Sequence, residues 1–145
     1  MIAKTMEIEL NTTKKFDIIE ITEQVQEKIN QSGVKAGIVI IASQHTTTAI
    51  LVNEYEEGFF ADLRDALQRL VPKELHYNHN DLHKRNVPKD EPQNGQSHIL
   101  AALIGNSQII PIVNGELQLG TWQSVFLIEL DSARYRKITI TVIGQ

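Results

Sequence analysis

Residues 107–143 read SQIIPIVNGELQLGTWQSVFLIELDSARYRKITITVI and contain three apolar segments separated by turn sequences. The segments are 107–113, 121–130 and 136–143. They are rich in the β-branched and aromatic residues that favour strands. Asn114-Gly115 after the first segment is a strong hairpin signal, and Asp131-Ser132-Ala133 supplies the next turn. Because Pro111 has no amide hydrogen, we expect the first strand to lie at an edge or to be bulged. Consecutive strands with short connections predict an antiparallel sheet.

Two further strands and a helix are predicted upstream. Met6–Leu10 alternates apolar and polar residues, which is typical of a half-buried strand. Residues 37–42, GIVIIA, are almost all apolar, which favours a central strand covered on both faces, although periodicity alone does not exclude a helix. Between them we expect a helix with Thr22 as its N-cap and Gly33 as its stop.

The remaining helices follow the 37–42 strand. Apolar residues recur at three- and four-residue spacing from Asn53 to Leu70, which predicts an amphipathic helix of about five turns. Ser97 to Gly105 predicts a short helix with Ser97 as cap and Gly105 as stop. The fold class is therefore α+β: a single domain, residues 1–145, with antiparallel strands and two main helices.

Composition narrows the possible classes of protein. The chain has 145 residues, a net charge of −4, 41% hydrophobic residues and no cysteine. The missing cysteines exclude disulfides and thiolate metal sites. Acidic and basic residues are scattered, which argues against a nucleic-acid partner. No apolar stretch approaches the ~20 residues that span a bilayer, and the start has no signal-peptide core, so we expect a cytoplasmic protein without a membrane partner.

The five histidines are the main candidates for chemistry. His45 follows the 37–42 strand, whereas His76, His79, His83 and His98 lie in or beside a long segment, 76–97, without apolar periodicity. A loop of this length is usually functional or disordered. Neutral imidazoles bind zinc, nickel or iron and transfer protons in phosphate chemistry. His45 can equally be a core histidine bonded to a backbone carbonyl.

Two of these histidines have further support from their neighbours. Asp81 can orient His79 as a hydrogen-bond partner behind a metal. His98 lies at a predicted helix start, where the dipole favours the neutral imidazole that a metal requires. The alternative is that His98 has no functional role and is a partly exposed residue of the first helical turn.

Other polar residues add candidates for phosphate binding and catalysis. Thr46, Thr47 and Thr48 can bind an anion or cap the next segment. Arg134 and Arg136, two residues apart, can clamp a phosphate. Glu54, expected at the start of the second helix, can be a general base, a metal ligand or a partner of the helix dipole. Trp122, the only tryptophan, is expected to be a core or interface anchor.

Six segments of the chain together match the sequence pattern of one family. They are Gln44-His45-Thr46-Thr47-Thr48-Ala49, Asn53-Glu54, His79-Asn80-Asp81, Ser97-His98-Ile99, Gly115-Glu116-Leu117-Gln118-Leu119-Gly120-Thr121-Trp122-Gln123, and Arg134 with Arg136. Together they resemble the YjbQ-like proteins, also called the secondary thiamine-phosphate synthase family. The resemblance covers nearly the full chain, and its long Gly-to-Gln block is the most specific part.

This resemblance implies a compact α+β fold, with antiparallel sheets in a sandwich-like arrangement, that assembles as a homotrimer. It implies a site of His45, His79 and His98 that holds a metal or an anion, and it leaves His76 and His83 outside. The implied activity joins a hydroxymethylpyrimidine diphosphate to a thiazole phosphate to give thiamine phosphate. A metal-dependent hydrolase of a small phosphorylated substrate and a non-catalytic metal- or anion-binding trimer remain as alternatives.

The predicted site divides into three roles. His45, His98 and Glu54 are the catalytic candidates. Thr47, Thr48, Arg134 and Arg136 are expected to bind the phosphate of a small phosphorylated molecule. His45, His79 and His98 are expected to bind a divalent transition metal, with zinc or nickel favoured by nitrogen ligands and zinc the first choice. We also expect strand 121–130, apolar on both faces, to need cover from other copies of the chain, with Trp122 near the boundary.

Overall fold

The computed structural model describes residues 1–145 and contains eight strands and three α-helices. The strands are β1 (Ile2–Asn11), β2 (Ile18–Glu20), β3 (Ala36–Ser43), β4 (Thr48–Glu54), β5 (Ser107–Val113), β6 (Glu116–Leu117), β7 (Gln123–Glu129) and β8 (Tyr135–Gly144). The helices are α1 (Thr22–Ser32), α2 (Glu57–Leu70) and α3 (Gly95–Ile104). Two short 3-10 turns, Asn78–Asn80 and Leu82–Lys84, lie between α2 and α3. No helix combines the length and apolar character required to cross a bilayer.

The elements form three layers. A five-stranded sheet has the order β1-β8-β3-β5-β6, and a three-stranded sheet has the order β2-β7-β4, with every pairing antiparallel. One apolar cluster joins the two sheets and the buried face of α1. A second cluster joins the other face of the three-stranded sheet to α2 and α3. The predicted α+β domain with sandwiched antiparallel sheets is confirmed, with the smaller sheet as its middle layer.

Strand β7 is buried on both faces by its own chain. Val125 and Leu127 belong to the cluster between the sheets, whereas Phe126, Ile128 and Leu130 belong to the cluster beneath the helices. This alternation explains why the sequence is apolar at every position here, since successive side chains point to opposite layers. The prediction that this strand needs other copies of the chain to bury it is therefore wrong, because α2, α3 and the larger sheet already cover both of its faces.

The five-stranded sheet confirms most strand predictions. β3 is central, between β8 and β5, but only one of its faces is fully buried, and Ile38 is 36% exposed. The prediction that β3 is covered on both faces is therefore wrong within a single chain. β5 has the predicted bounds, and only its last two residues pair with β6, which accommodates Pro111. Asn114 and Gly115 have φ of 54° and 82°, as a type I′ hairpin requires.

Residues 48–54 form a strand, which corrects the predicted start of the second helix. Thr48–Glu54 is β4 and pairs with β7 over its whole length. The helix begins only at Glu57, where the Glu56 carboxylate accepts the Phe59 N–H at 2.7 Å. Glu54 therefore ends a strand instead of starting a helix. β2, with three residues, is too short to show any period in the sequence.

The predicted helix caps are partly wrong. Ile21 occupies the N-cap of α1, and the Thr22 hydroxyl instead accepts the Val125 N–H at 2.9 Å, which ties the helix to β7. Asn94 precedes α3, so Ser97 lies inside this helix and is fully buried. Gly33, at φ 78°, ends α1 as expected.

Candidate functional site

The loop between β3 and β4 places His45 at the end of the larger sheet. β3 ends at Ser43, which pairs with Ile138, so Lys137 on β8 pairs with Glu9 of β1 but has no partner on β3. The Lys137 N–H donates to Nε2 of His45 at 2.9 Å. Nε2 therefore holds the lone pair of the neutral ring, and the hydrogen is on Nδ1. The one N–H of the His45 ring is therefore at Nδ1, which makes this ring a hydrogen-bond donor.

His79 and His98 form a pair beside this loop. Their ring centroids are 4.4 Å apart with the planes at 60°. The 3-10 turn that carries His79 is held against α3 because Asn80 Oδ1 accepts the Gly95 N–H at 2.9 Å. A Cβ at position 95 would approach Cβ of His79 to 3.2 Å and Cβ of Tyr77 to 2.8 Å, so glycine permits this close contact.

A buried ion pair closes the end of the space between the sheets. Glu129 follows Val125 and Leu127 on the inward face of β7, and Arg136 precedes Ile138 on the inward face of β8. The guanidinium donates to Glu129 from Nε at 2.8 Å and from Nη2 at 2.6 Å. It also donates to the Thr47 hydroxyl at 3.0 Å, while Thr12 donates to Glu129 at 2.6 Å. Arg136 is thereby fixed before any ligand binds.

These elements surround a cavity of about 530 Å³, which we call the arginine lobe. Its polar lining comes from the loop between β3 and β4, from β8 and the turn before it, from α3 and from the 76–97 segment. The lining residues are Gln44, His45, Thr46, Thr47, His79, Arg85, Glu91, Pro92, Asn94, His98, Arg134 and Arg136. Arg134 is held by Asp131 at 2.6 Å, and Arg85 donates to the His79 carbonyl at 3.0 Å. The lobe presents N–H and O–H donors, with Glu91 as its only carboxylate.

A second cavity of about 440 Å³ adjoins the first, and we call it the small-residue lobe. It shares Gln44, His45, Thr46 and His98 with the arginine lobe. Its other lining residues are small: Ser43, Thr48, Ala101, Ala102, Gly105 and Asn106. His45 and His98 therefore lie at the junction of a strongly polar space and a nearly uncharged one.

Several predicted residues do come together. His45, His79, His98, Thr47, Arg134 and Arg136 all line the arginine lobe. Thr48 is fully buried, and its hydroxyl is bonded to Ser43 at 2.5 Å, so its contact is with the small-residue lobe.

Other predicted residues lie elsewhere. Glu54 is six residues along β4 from Thr48, about 20 Å at strand spacing. It lines a separate cavity with Trp122, which is 73% exposed and so is not a core residue. Asp81 accepts from His76 Nε2 at 2.9 Å, not from His79, so the expected partner of His79 is wrong. His83 is exposed and lines neither lobe.

The three clustered histidines do not fit a zinc ion as they stand. No group of three or more His, Asp or Glu side chains has the arrangement needed to hold a metal. The one lone pair of neutral His45 accepts the Lys137 amide, so His45 cannot also be a nitrogen ligand without breaking that bond. His79 and His98 offer two nitrogens at most. Zinc thus stays a prediction from the sequence, and the donors in the pocket suit an anion better.

The electrostatics of the pocket point the same way. Burial lowers the pKa of His45 below its ordinary value, and the positive charges of Arg136 and Arg134 lower it further. Burial also lowers the pKa of His98, with His79, Arg85 and Arg134 adding to the effect. Both rings are therefore neutral near pH 7, and a bound anion would favour protonation of His98, whereas the bond from Lys137 opposes protonation of His45.

Comparison with known proteins assigns the family. A family model described as UPF0047 protein YjbQ-like matches residues 6–145. The chain belongs to this family. A UPF0047 protein of Methanothermobacter thermautotrophicus is 38% identical over 97% of this chain and 92% of its own length. YugU of Bacillus subtilis, also a UPF0047 protein, is 30% identical over 94% of this chain and 97% of its own length.

Solved structures of YjbQ-like proteins share the fold. A protein of unknown function from Sulfolobus solfataricus has a TM-score of 0.88 and 31% identity, covering 99% of this chain and 98% of its own. A YjbQ/UPF0047 protein of Clostridium acetobutylicum has a TM-score of 0.84 and 34% identity, covering 95% and 99%. These likenesses establish the family and the fold, and the chemistry has to be argued from the pocket.

Sequence reasoning missed several residues of this YjbQ-like pocket. Glu129 and Asp131 hold the two arginines, and Arg85 and Asn94 line the cavity. Glu129 left a usable signal, because it is the one charged residue in the apolar run 125–130, and charged side chains in such runs are almost always paired. Arg85 and Asn94 left none, since their positions depend on the path of an aperiodic segment.

Proposed function

We propose that the protein is an enzyme acting on a small phosphorylated molecule, with the phosphate in the arginine lobe and the organic part in the small-residue lobe. The observation that carries this proposal is the buried Arg136–Glu129 pair, 3% and 0% exposed, which fixes a guanidinium at the wall of the pocket. A preorganised donor of this kind stabilises charge without reorganisation cost during a reaction. Burying an ion pair costs free energy, because both charges lose their contact with water. A pair that is buried at this cost beside a cavity is better explained by ligand binding than by a purely structural role.

The reaction implied by the family resemblance suits these residues. In thiamine phosphate formation the thiazole nitrogen lone pair attacks the methylene carbon of the pyrimidine. The carbon–oxygen bond breaks, and its electron pair leaves with pyrophosphate. No strong base is needed, because no proton is removed from carbon. Donors for the departing charge are needed, and Arg134 and Arg136 line the arginine lobe where a diphosphate would lie.

The two junction histidines would then act on the bond that breaks. His45, with its hydrogen on Nδ1, donates to the oxygen that leaves the carbon. His98, whose neighbour His79 is 4.4 Å away between ring centroids, would give a proton to the departing pyrophosphate and regain one from solvent. Were a zinc ion bound, His79 and His98 would be its holders and it would supply Lewis acidity to the phosphates. The steps above do not depend on it.

A non-catalytic phosphate-binding protein is the second candidate. The bonds from Arg136 to Glu129 and Thr47 fix the guanidinium in place. A guanidinium fixed in this way would bind an anion equally well in a site that performs no chemistry. The deciding experiment incubates purified protein with hydroxymethylpyrimidine diphosphate and thiazole phosphate and follows thiamine phosphate by chromatography. Product that depends on His98 supports the enzyme. Phosphate binding by calorimetry without any product supports the second candidate.

We also propose that the protein is a homotrimer, as the resemblance implies. Two adjoining cavities share Val52 and Gln123 and expose Trp122 at 73% and Ile109 at 63%. Large apolar side chains exposed together are typical of a protein–protein contact. We therefore base the expected assembly on this exposed patch and not on β7. Trp122 would still lie near the boundary between subunits.

A further inference from the structure

A further cavity, of about 560 Å³, shares no residue with either lobe of the proposed active site. It lies between the turn after β1, the end of α2 and the side of α3. Leu100 and Val71 line it and are almost fully buried, at 1% and 8% exposed. The cavity therefore has apolar walls reaching into the cluster beneath the helices.

Two ammonium groups adjoin these apolar walls. Lys15 and Lys73 both line the cavity, and neither makes an ion pair or a side-chain hydrogen bond in the structure. Burial and the positive charge of Lys73 lower the pKa of Lys15, although Asp131 opposes them. Asp131 is already committed to Arg134 at 2.6 Å. Glu74 also lines the cavity and, like Lys73, is exposed and makes no ion pair. The two lysine charges therefore repel each other, and no ion pair neutralises either of them.

The wall formed by Phe16 is rigid and strained. Phe16 has φ of 60°, a left-handed conformation that is uncommon for a residue with a bulky side chain. It is held there because its N–H donates to the Glu129 carbonyl at 2.7 Å and the Asp17 carbonyl accepts the Glu129 N–H at 2.9 Å. The Asp17 carboxylate also accepts the Thr13 N–H at 2.8 Å. Strain of this kind persists where the surroundings fix it, and it is enriched at ligand-binding positions.

We propose that this cavity is a second binding site, for the phosphate monoester of a flat apolar group. A dianionic phosphate would lie between the two ammonium groups and relieve their repulsion. The apolar group would lie against Phe16, Val71 and Leu100, where it displaces water from apolar surface. Lys15 Nζ is 5.3 Å from the centroid of the Phe16 ring, so the charged and aromatic parts of the site adjoin.

The probe for this site is phenyl phosphate, titrated into the 145-residue chain by calorimetry and by two-dimensional NMR of the backbone amides. We expect shifts at residues 15–16 and 71–74 that are separate from any shifts around His45 and His98. Lys15→Gln and Lys73→Gln should each weaken this binding about tenfold, the worth of one charge-assisted hydrogen bond. Lys14→Gln is the matched control, since Lys14 is exposed and does not line the cavity.

Two results would overturn the inference. One is a titration in which only the amides near His45 and His98 shift, because phenyl phosphate would then bind only in the arginine lobe. The other is inorganic phosphate shifting residues 15–16 and 71–74 with the same affinity as phenyl phosphate, because the apolar walls would then contribute nothing. Neither result depends on whether the arginine lobe is catalytic.

Discussion

The backbone N–H of Lys137 and Nε2 of His45 are joined by a 2.9 Å hydrogen bond that fixes both the orientation and the tautomer of the imidazole. A proton added at Nε2 would face this N–H and break the bond. His45 is therefore suited to donate from Nδ1 but not to gain and lose protons during a reaction. Proton exchange then falls to His98, whose ring is bonded to no backbone group in the structure.

Removing either junction histidine should therefore abolish the proposed activity. We expect His45→Ala and His98→Ala to lower the rate of thiamine phosphate formation by about two to three decades, the usual effect of deleting a donor to a charged transition state. His76→Ala is the control, because His76 bonds only to Asp81 outside the pocket. Equal activity in all three variants would show that the turnover arises elsewhere.

The buried pair should dominate the stability of the site. Glu129→Gln leaves Arg136 buried without a counter-charge, which we expect to lower the free energy of unfolding by about 3–5 kcal/mol in urea denaturation. Glu7→Gln is the matched control, since Glu7 is half exposed at 3.4 Å from Lys137 and an exposed pair contributes about 0–1 kcal/mol. Similar values for the two variants would mean that solvent reaches the Glu129–Arg136 pair.

The two junction histidines should make stability depend on pH. Their pKa values are lowered in the folded protein from an ordinary value of 6.5. Well above pH 6.5 both rings are neutral in the folded and in the unfolded protein. Below pH 6.5 the unfolded chain takes up protons before the folded protein does. The free energy of unfolding should therefore decrease as the pH falls below 6.5. The double variant His45→Gln/His98→Gln should lose part of this slope in urea titrations at pH 5 to 7.5. Exposed His83→Gln should keep it, and an unchanged slope in the double variant would refute the assignment.

Phosphate binding should survive removal of metal. The arginine lobe supplies its donors from Arg134, Arg136 and His45, so we expect the affinity for inorganic phosphate to change by less than about twofold after dialysis against a chelator. Calorimetry before and after dialysis measures this directly. If binding is lost and zinc restores it in the wild type but not in His98→Ala, the metal predicted from the sequence holds the anion after all.

The exposed patch around Trp122 should hold the assembly together. We expect light scattering to give three times the 16.4 kDa of one chain. Trp122→Asp should shift the mass towards that of a single chain, because it replaces a large apolar side chain, 73% exposed, with a charge inside the proposed contact surface. Leu75→Asp, at a site 60% exposed in the segment after α2, is the control. A wild-type monomer at micromolar concentration would rule out the trimer.

The sequence predicted strands and helices well where the apolar period was long. β5, β8 and α1 have the expected bounds to within a residue or two, because their buried faces repeat over two or more turns or pleats. β4 was missed because Thr48–Val52 is buried by pairing with β7, about 75 residues away in the chain, and no local pattern records that pairing. Glu54 was assigned to a helix and to the active site for the same reason.

The candidate site was predictable as a set of residues but not as a chemical environment. His45, His79 and His98 do line one pocket, as the family resemblance implied. Which ring nitrogen carries the hydrogen depends on where β3 stops relative to β8, a matter of strand register that composition cannot show. The partners of the arginines, Glu129 and Asp131, likewise lie across the sheets or turns from the residues they hold.

The position of β8 between β1 and β3 has a consequence for how the protein folds. Arg136 and the Lys137 amide are on this strand, yet the residues that it pairs with on β1 and β3 are about 130 and 100 positions away in the chain. Pairings over such distances form slowly, because a long loop must close before any contact stabilises it. In a refolding experiment helical circular dichroism should therefore recover first, and the phosphate-binding pocket should be among the last parts of the molecule to become competent.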